Sequence, residues 1–311
     1  MRKVLLATTA LVALGGVSAA SADVTLSGKT MFNFTSWSDN QADTNGANNS
    51  TIATSAEVDV TASATTDSGL TWSTNIDVHD STENLSLSGD GWKLYMSDSD
   101  DGDGDAFATS ANPVADEDYG GNTITFSGNE AVVGGDISLK STFGPVSFAI
   151  GHSDGGTTGD DSLSYGVSYS TTAAGAGITL QYAASDSNLA SGADGNKATS
   201  LGVKITSGDL GITLAQNTKE INSGATTTAD YSSNGIAITY KISDVLSLAA
   251  QTKAVDDDLA GGTYEFNETA GSLSYTIGAG LAAHLSVTDF NQKGASVVNG
   301  TSTELELAVS F

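Results

Sequence analysis

The densest set of side chains that could do chemistry in this sequence is a run of carboxylates with no basic residue among them. Carboxylate oxygens are the ligands that hard cations prefer, so the run predicts attraction of cations. Three of its members, Asp101, Asp103 and Asp105, have the alternate spacing of a calcium-binding loop. The whole run consists of Asp98, Asp100, Asp101, Asp103, Asp105, Asp116, Glu117 and Asp118.

The calcium site predicted at these three aspartates matches an EF-hand loop only in part. The sixth position of such a loop is glycine and the twelfth is glutamate, whereas this chain has Ala106 and Asn112 there. A flexible acidic loop in water that attracts counter-ions diffusely is the alternative, and it needs no defined ligand geometry. Both interpretations stay open.

Residues for nucleophilic or acid-base catalysis are sparse. The chain contains three histidines, His79, His152 and His284, and no cysteine. A serine near one of these histidines would be needed for a membrane-embedded hydrolase, the one enzymatic alternative. We therefore expect a protein that is not an enzyme.

The amino terminus has the organisation of a secretory leader. Arg2 and Lys3 precede an apolar stretch, and Ala20-Ser21-Ala22 forms a small-residue cleavage pattern. We expect a signal peptide at 1–22 and one domain at 23–311. Without the leader, nine lysines oppose 37 acids, a net charge of about −28 that disfavours nucleic acid as a partner. No other stretch approaches the roughly 20 apolar residues of a membrane helix, so a membrane would be crossed by strands.

Period-two alternation of apolar and polar residues runs from end to end of the predicted domain, which indicates strands with one lipid-facing and one water-facing side. Within 52–66, for example, Ala56, Val58 and Val60 share one parity, and Glu57 and Asp59 share the other. The predicted strands are 24–34, 52–66, 70–78, 84–88, 92–97, 136–142, 146–153, 162–171, 178–185, 198–206, 210–218, 235–242, 246–254, 269–277, 281–288 and 302–311.

The connections between these sixteen strands alternate in length. Seven are tight turns rich in Gly, Asp and Ser, and the other eight are mostly longer and polar. This pattern predicts an all-β, sixteen-stranded antiparallel transmembrane β-barrel with both termini on the short-turn side. The longest connection, about 98–135, follows the fifth strand and carries the carboxylate run.

Charged residues inside the predicted strands favour the water-facing parity, because a lysine facing lipid at mid-depth costs about 2 to 4 kcal/mol. We expect Lys29, Asp59, Asp77 and Glu304 to lie at similar heights as a mostly acidic ring, with Lys29 as its counter-charge. Lys253 is a second candidate counter-charge. The full predicted lumen wall is Lys29, Glu57, Asp59, Asp77, Lys253, Glu304 and Glu306.

Several strings in order along the chain resemble the general diffusion porins of alphaproteobacteria, the purple-bacterial type. They are ADVTLSG at the predicted mature start, TTDSGLTWS at 65–73, LSLSGDGWKLYMSD at 85–98, FGPVSFAIGHSDGG at 143–156 and the terminal LELAVSF. Each string is weakly specific, but their order and spacing extend over nearly the whole predicted domain. Porins of this type usually place arginines opposite the acidic loop, and here no arginine follows Arg2.

The resemblance implies an integral protein of the Gram-negative outer membrane that forms a homotrimer, with the third long loop folded inward as a pore constriction. Its function would be passive diffusion of small hydrophilic solutes and ions. Its other partners would be membrane lipid, lipopolysaccharide and the barrel-assembly machinery, which reads a terminal aromatic such as Phe311. Rings of carboxylates favour cations, so we expect cation selectivity.

A secreted, acidic, β-rich adhesive or structural protein without a channel is the alternative to a pore. Such proteins are also rich in glycine and strands, but a β-solenoid shows a fixed repeat. The connections here vary widely in length and show no repeat, which favours the barrel.

Overall fold

A computed structural model describes residues 22–39, 48–78, 83–97, 135–154, 161–188, 194–223, 226–257, 264–293 and 298–311. The regular structure in these ranges is entirely β. Within them, no helix is long and apolar enough to cross a membrane.

The described residues form sixteen strands and the short turns between them. The first eight are β1 (Asp23–Asp39), β2 (Asn48–Thr65), β3 (Thr71–Asp77), β4 (Glu83–Gly89), β5 (Trp92–Ser97), β6 (Ile137–Phe143), β7 (Val146–Ser153) and β8 (Asp161–Ala173). The second eight are β9 (Ala176–Asn188), β10 (Asp194–Ser207), β11 (Leu210–Ser223), β12 (Thr226–Lys241), β13 (Leu246–Asp257), β14 (Tyr264–Gly278), β15 (Leu281–Lys293) and β16 (Val298–Ser310).

The strands form one closed barrel in which each pairs antiparallel with its neighbours in sequence and β1 pairs with β16. Closure satisfies every strand edge, which a lipid-exposed sheet requires. The predicted sixteen-stranded antiparallel barrel is therefore confirmed, and the alternative of a β-solenoid is wrong. The predicted inward-folded loop lies outside the described residues.

Several strands extend beyond their predicted bounds on the long-loop side. Strand β12 covers Thr226–Lys241 where 235–242 was expected, and β14 covers Tyr264–Gly278 where 269–277 was expected. The extensions carry polar residues on the outward face, so the apolar alternation that marks a membrane strand stops there. The hydrogen-bonded ladder nevertheless continues, with Ser223 paired to Thr226 at the tip of the β11–β12 hairpin.

Within the described residues, the barrel wall is lowest along β3 to β7. Strands β3 to β7 have six to eight residues each, whereas β8 to β16 have 12 to 16 and β1 and β2 have 17 and 18. At about 3.3 Å per residue and a tilt near 45°, six to eight residues span roughly 14 to 19 Å, less than the apolar band of about 25 Å on such barrels. We call β3 to β7 the low wall.

The two faces of the wall have opposite chemistry. Large apolar side chains such as Ile150, Leu201 and Val287 point outward and are exposed, as a lipid-facing surface requires. The residues between them are mostly Ser, Thr, Ala, Gly and charged residues, and they point inward. The predicted parity of the strands is confirmed.

Candidate functional site: the barrel lumen

Lysines line the lumen. Of the nine lysines after the predicted leader, Lys197 and Lys293 alone have the outward parity, and they lie in the strand extensions beyond the apolar residues. Lys293 forms a 2.7 Å ion pair with Glu265 on the same outer surface. The other seven point inward: Lys29, Lys93, Lys140, Lys204, Lys219, Lys241 and Lys253.

Inward carboxylates balance these lysines. Among strand residues whose side chains the structure describes, the inward acids are Asp23, Glu57, Asp59, Glu268, Glu304 and Glu306. This part of the wall is therefore close to neutral, although the whole chain has a formal net charge of −26. A strong cation preference would have to come from acids outside the described wall.

Three members of the predicted acidic ring lie together. Lys29 on β1 is directly opposite Glu57 on β2, and Asp59 lies one inward position further along β2. The backbone of Asp77 pairs with Asp59, while its side chain lies outside the described part of the structure. Cross-strand neighbours have Cβ atoms about 4.5 to 5.5 Å apart, so Glu57 is the nearest counter-charge that the register offers Lys29.

Glu304 does not lie beside Lys29, and the expectation of a shared height is wrong. Glu304 pairs with Thr35, whereas Lys29 pairs with Ser310, six positions further along β16. Six positions correspond to about 20 Å along the strand. Each pair of neighbouring strands is offset along the strand direction, and the sum of these offsets around the barrel sets the register between β1 and β16. The alternation within single strands does not reveal that sum.

Glu304 and Glu306 instead form a second acidic group on β16. Glu304 accepts a hydrogen bond from Asn33 and is close enough to Glu306 for mutual repulsion. Glu306 is directly opposite His284, whose Nδ1 lies 2.8 Å from Ser274 Oγ. These polar side chains project into the lumen from β14, β15 and β16.

Lys253 is buried within the wall and makes an ion pair that the sequence did not predict. Its side chain has no exposed surface, and its Nζ lies 3.7 Å from Oε1 of Glu268 on β14. Gln251 Nε2 donates a 2.8 Å hydrogen bond to the same oxygen. Removing two charges from water is costly, and the pair with its amide donor offsets that cost.

An apolar cluster also points inward, close to this ion pair. Val255, Phe266 and Phe290 are almost completely buried, and Tyr231 packs against them. Inward apolar residues run against the expected polar parity of a pore. They lie in the strand extensions of β12 to β15. Continuing the period-two alternation of the predicted strands by a few residues would have placed these residues, and Glu268, on the inward face.

Four inward lysines lie near the short-turn mouth. Lys93 is the second residue of β5, Lys140 and Lys204 precede the ends of β6 and β10 by three residues, and Lys241 ends β12. Lys241 Nζ donates a 2.7 Å hydrogen bond to Asp244 in the adjoining turn. The bond and the lysine charge hold the pKa of Asp244 below its usual value.

The carboxylate run from Asp98 to Asp118 lies outside the described residues, and so does the calcium site predicted at Asp101, Asp103 and Asp105. Within the described ranges, no group of three or more His, Asp or Glu residues is arranged to hold a metal ion. The constriction and the calcium site therefore stay predictions.

Solved structures of similar fold are outer-membrane proteins and porins. In-vitro folded OmpT, an outer membrane protein of Vibrio cholerae, is 12% identical with a TM-score of 0.67, covering 95% of this chain and 99% of that chain. An anion-selective porin from Comamonas acidovorans is 14% identical with a TM-score of 0.64 and coverages of 93% and 100%. A porin refined at 1.8 Å is 18% identical with a TM-score of 0.62 and the same coverages. At these identities the likeness shows the fold.

The search of curated protein sequences found no match. A family model described as Gram-negative porin matches residues 7–311, which include all sixteen strands. The chain therefore belongs to the Gram-negative porin family and is an integral channel protein of the outer membrane.

Proposed function

We propose that this porin is a general diffusion channel, a passive water-filled pore for small hydrophilic solutes and ions, and that it is not an enzyme. The observation that carries the proposal is the lumen wall, where serine, threonine, alanine and glycine are interspersed with charged residues of both signs. Such a wall offers water and solutes many weak hydrogen-bonding partners. Passive conduction requires that solutes bind weakly enough to leave.

We further propose that the pore prefers cations and that the carboxylates of the 98–118 run produce the preference. The described wall is close to neutral, so that run is the largest unbalanced charge between two strands of the barrel. The proposal includes the inward folding of this connection as a constriction, as in the purple-bacterial porins that the sequence resembles. A ring of carboxylates at a constriction raises the local concentration of cations.

The reversal potential of the purified protein in a planar bilayer under a KCl gradient tests this proposal. A potential close to the potassium limit is expected. Asn or Gln at all eight carboxylates of the run should move it to zero or slightly to the chloride side, since the described wall has no excess of carboxylates. If the unaltered protein conducts without any cation preference, the proposed selectivity is wrong and the proposed diffusion channel still holds.

A matched pair of triple variants isolates the effect of position from that of net charge. D101N/D103N/D105N removes three charges from the predicted constriction. D186N/E220Q/D256N removes three from exposed outward-facing residues of β9, β11 and β13. The first variant should lower the cation preference and the second should leave it unchanged. Equal effects would mean that net charge alone sets the potential.

We propose a homotrimer in which the low wall faces the other subunits. The described parts of these strands span less than the apolar band, and a wall of that height facing lipid would leave a hydrophobic mismatch. Contact with neighbouring subunits would cover it. One solved relative, Vibrio cholerae OmpT, is described in a trimer form.

The remaining proposals concern processing, assembly and ligands. Cleavage after Ala22 would start the mature protein at Asp23, which is also where β1 begins, and the mass of the protein from outer membranes tests this. Phe311 would be the aromatic that the barrel-assembly machinery reads. Lipid and lipopolysaccharide would surround the longer strands β8 to β16, and calcium would bind the constriction aspartates. The similarity to alphaproteobacterial porins is part of the same proposal.

A further inference from the structure

A concave apolar groove interrupts the outer face of the barrel across β12 to β15. Its floor is the cross-strand pair of Ala250 and Gly271, which Ile238 and Val287 flank on the neighbouring strands. A Cβ atom added to Gly271 would meet no atom nearer than the Ala249 oxygen at 3.8 Å, so the space above the floor is open. The next row towards the short turns is bulkier and consists of Tyr240, Leu248, Leu273 and Leu285. We call this concavity the outer groove.

The outer groove is large enough for part of a lipid acyl chain. Its volume is about 500 Å³, which lies within the roughly 300 to 1,000 Å³ of ligand pockets. The backbones of β12 and β15 are three strand spacings apart, about 14 Å. Exposed apolar concavities of this size mark binding sites for apolar ligands or partners.

A polar row borders the outer groove on its long-loop side. Thr252 and Thr269 are cross-strand partners two residues beyond the floor, and Asp289 is the next partner on β15. All three side chains are exposed. Thr252 Oγ1 donates a 3.1 Å hydrogen bond to the Glu268 backbone oxygen, and Thr269 Oγ1 donates one of 3.5 Å to Thr252 Oγ1. A hydroxyl has two acceptor lone pairs and a carboxylate about four, so this row can accept further hydrogen bonds from a ligand.

The outer groove and the polar row follow each other along the barrel in the same order as the chain and the head group of a lipid. The groove lies in the apolar band that faces hydrocarbon, and the polar row lies towards the long loops, which are extracellular in such barrels. Two residues further along β14 and β15, Asn267 and Asn291 continue the polar surface. An acyl chain in the groove would therefore bring its head group to the polar row.

The position of the outer groove favours lipid over a second subunit as the occupant. Around the closed ring of sixteen strands, β13 and β14 are eight strands away from β5 and β6. The groove therefore lies opposite the low wall, which is the face proposed for contacts between subunits.

The charges near the polar row favour an uncharged head group. Asp256 and Asp289 are exposed and point outward, whereas the nearby Lys293 forms an ion pair with Glu265. A phosphate group at this row would be repelled by the two carboxylates. The hydroxyl groups of a sugar can instead donate hydrogen bonds to them.

We propose that the outer groove and its polar row form a binding site for one sugar-bearing lipid of the outer leaflet. An acyl chain lies over Ala250 and Gly271, and the uncharged sugar contacts Thr252, Thr269 and Asp289. The proposal goes beyond a surrounding layer of lipid, because it assigns one lipid to defined residues. It rests on the barrel lying in the outer membrane and is independent of what the lumen conducts.

Native mass spectrometry of the detergent-solubilised barrel tests the site with two lipids of matched acyl chains, monogalactosyl diacylglycerol and phosphatidylglycerol. The unaltered protein should retain one galactolipid per subunit and should bind phosphatidylglycerol more weakly. A250L/G271L fills the groove and should abolish the retention. T252V/T269V keeps the shape but removes both hydroxyl groups, and it should raise the dissociation constant of the galactolipid about tenfold, equivalent to about 1.4 kcal/mol.

T199V/T218V is the matched control. Thr199 and Thr218 form another exposed hydroxyl pair, 2.7 Å apart, on β10 and β11. Because this pair lies outside the groove, the control should bind the galactolipid as the unaltered protein does. Equal weakening in T199V/T218V and T252V/T269V, equal binding of the two lipids, or no retained galactolipid in the unaltered protein would overturn the site. The two threonine variants decide the outcome even if A250L/G271L does not fold.

Discussion

Gly28 and Phe311 join the first and last strands of the barrel by two reciprocal backbone hydrogen bonds, each 3.0 Å long. The Phe311 ring lies over Gly28, and a Cβ atom added to Gly28 would be 2.5 Å from Cζ of that ring and 2.9 Å from the backbone oxygen of Glu57. The absence of a side chain at Gly28 thus allows the terminal aromatic to pack against the seam where the barrel closes.

Gly28→Val should loosen this seam. The new side chain conflicts with a ring on one side and with backbone on the other, and overpacking of this kind costs about 1 to 3 kcal/mol. The folded and unfolded barrels migrate differently in gel electrophoresis, and the heating temperature at which the folded band is replaced by the unfolded band should fall. Gly271→Ala is the control, because its added Cβ would meet the nearest atom, the Ala249 oxygen, at an ordinary 3.8 Å. A similar loss in both variants would contradict the role of the Phe311 contact.

The buried ion pair of Lys253 and Glu268 should be more sensitive to losing one partner than to losing both. K253M leaves a carboxylate and E268Q leaves an ammonium group in a buried environment, and each single change should cost about 3 to 5 kcal/mol. The double variant should cost less than the sum of the two, because it leaves no uncompensated charge between these positions. Urea unfolding of the four proteins in detergent gives the coupling energy.

If the losses in unfolding free energy from K253M and E268Q simply add in the double variant, the two charges do not stabilise each other. Lys241 and Asp244 provide a surface comparison, since their side chains are mostly exposed. K241M should change the unfolding midpoint little, because exposed ion pairs contribute only a few tenths of a kcal/mol up to about 1.

Alternation predicted the barrel and the inward parity of charged strand residues, but not the neighbourhood of each charge. The parity of Lys93, Lys140 and Lys204 follows from the residues next to them in sequence. The partner of Glu304, in contrast, depends on the register at closure, to which every strand contributes. Phe266 and Phe290 were not predicted to face inward, because they lie in strand extensions beyond the membrane. The outward-facing residues there are polar, so apolar alternation no longer marks a strand.

Replacing apolar residues on the low wall should weaken the proposed trimer. Leu85 on β4 and Leu139 on β6 point outward and are exposed in the single chain. L85S/L139S should shift the protein from trimer to monomer in light scattering of detergent-solubilised samples, because the cavity and lost apolar contact fall at the subunit interface. L273S/L285S makes the same chemical change on the longer strands β14 and β15 and should leave the trimer intact. Dissociation by the second variant alone would place the interface on the opposite side.

Calcium should reduce the cation preference if the aspartates of the D-x-D-x-D segment bind it. A bound divalent ion would neutralise part of the negative field, so the reversal potential under a KCl gradient should move towards zero as calcium is added to the unaltered protein. The response should saturate and should be lost in D101N/D103N/D105N, while magnesium, which requires stricter geometry, should be weaker. A response that survives in this variant, or one that calcium and magnesium share equally, would indicate diffuse counter-ion attraction. In that case the carboxylates act through their summed charge, and the spacing of Asp101, Asp103 and Asp105 has no part in selectivity.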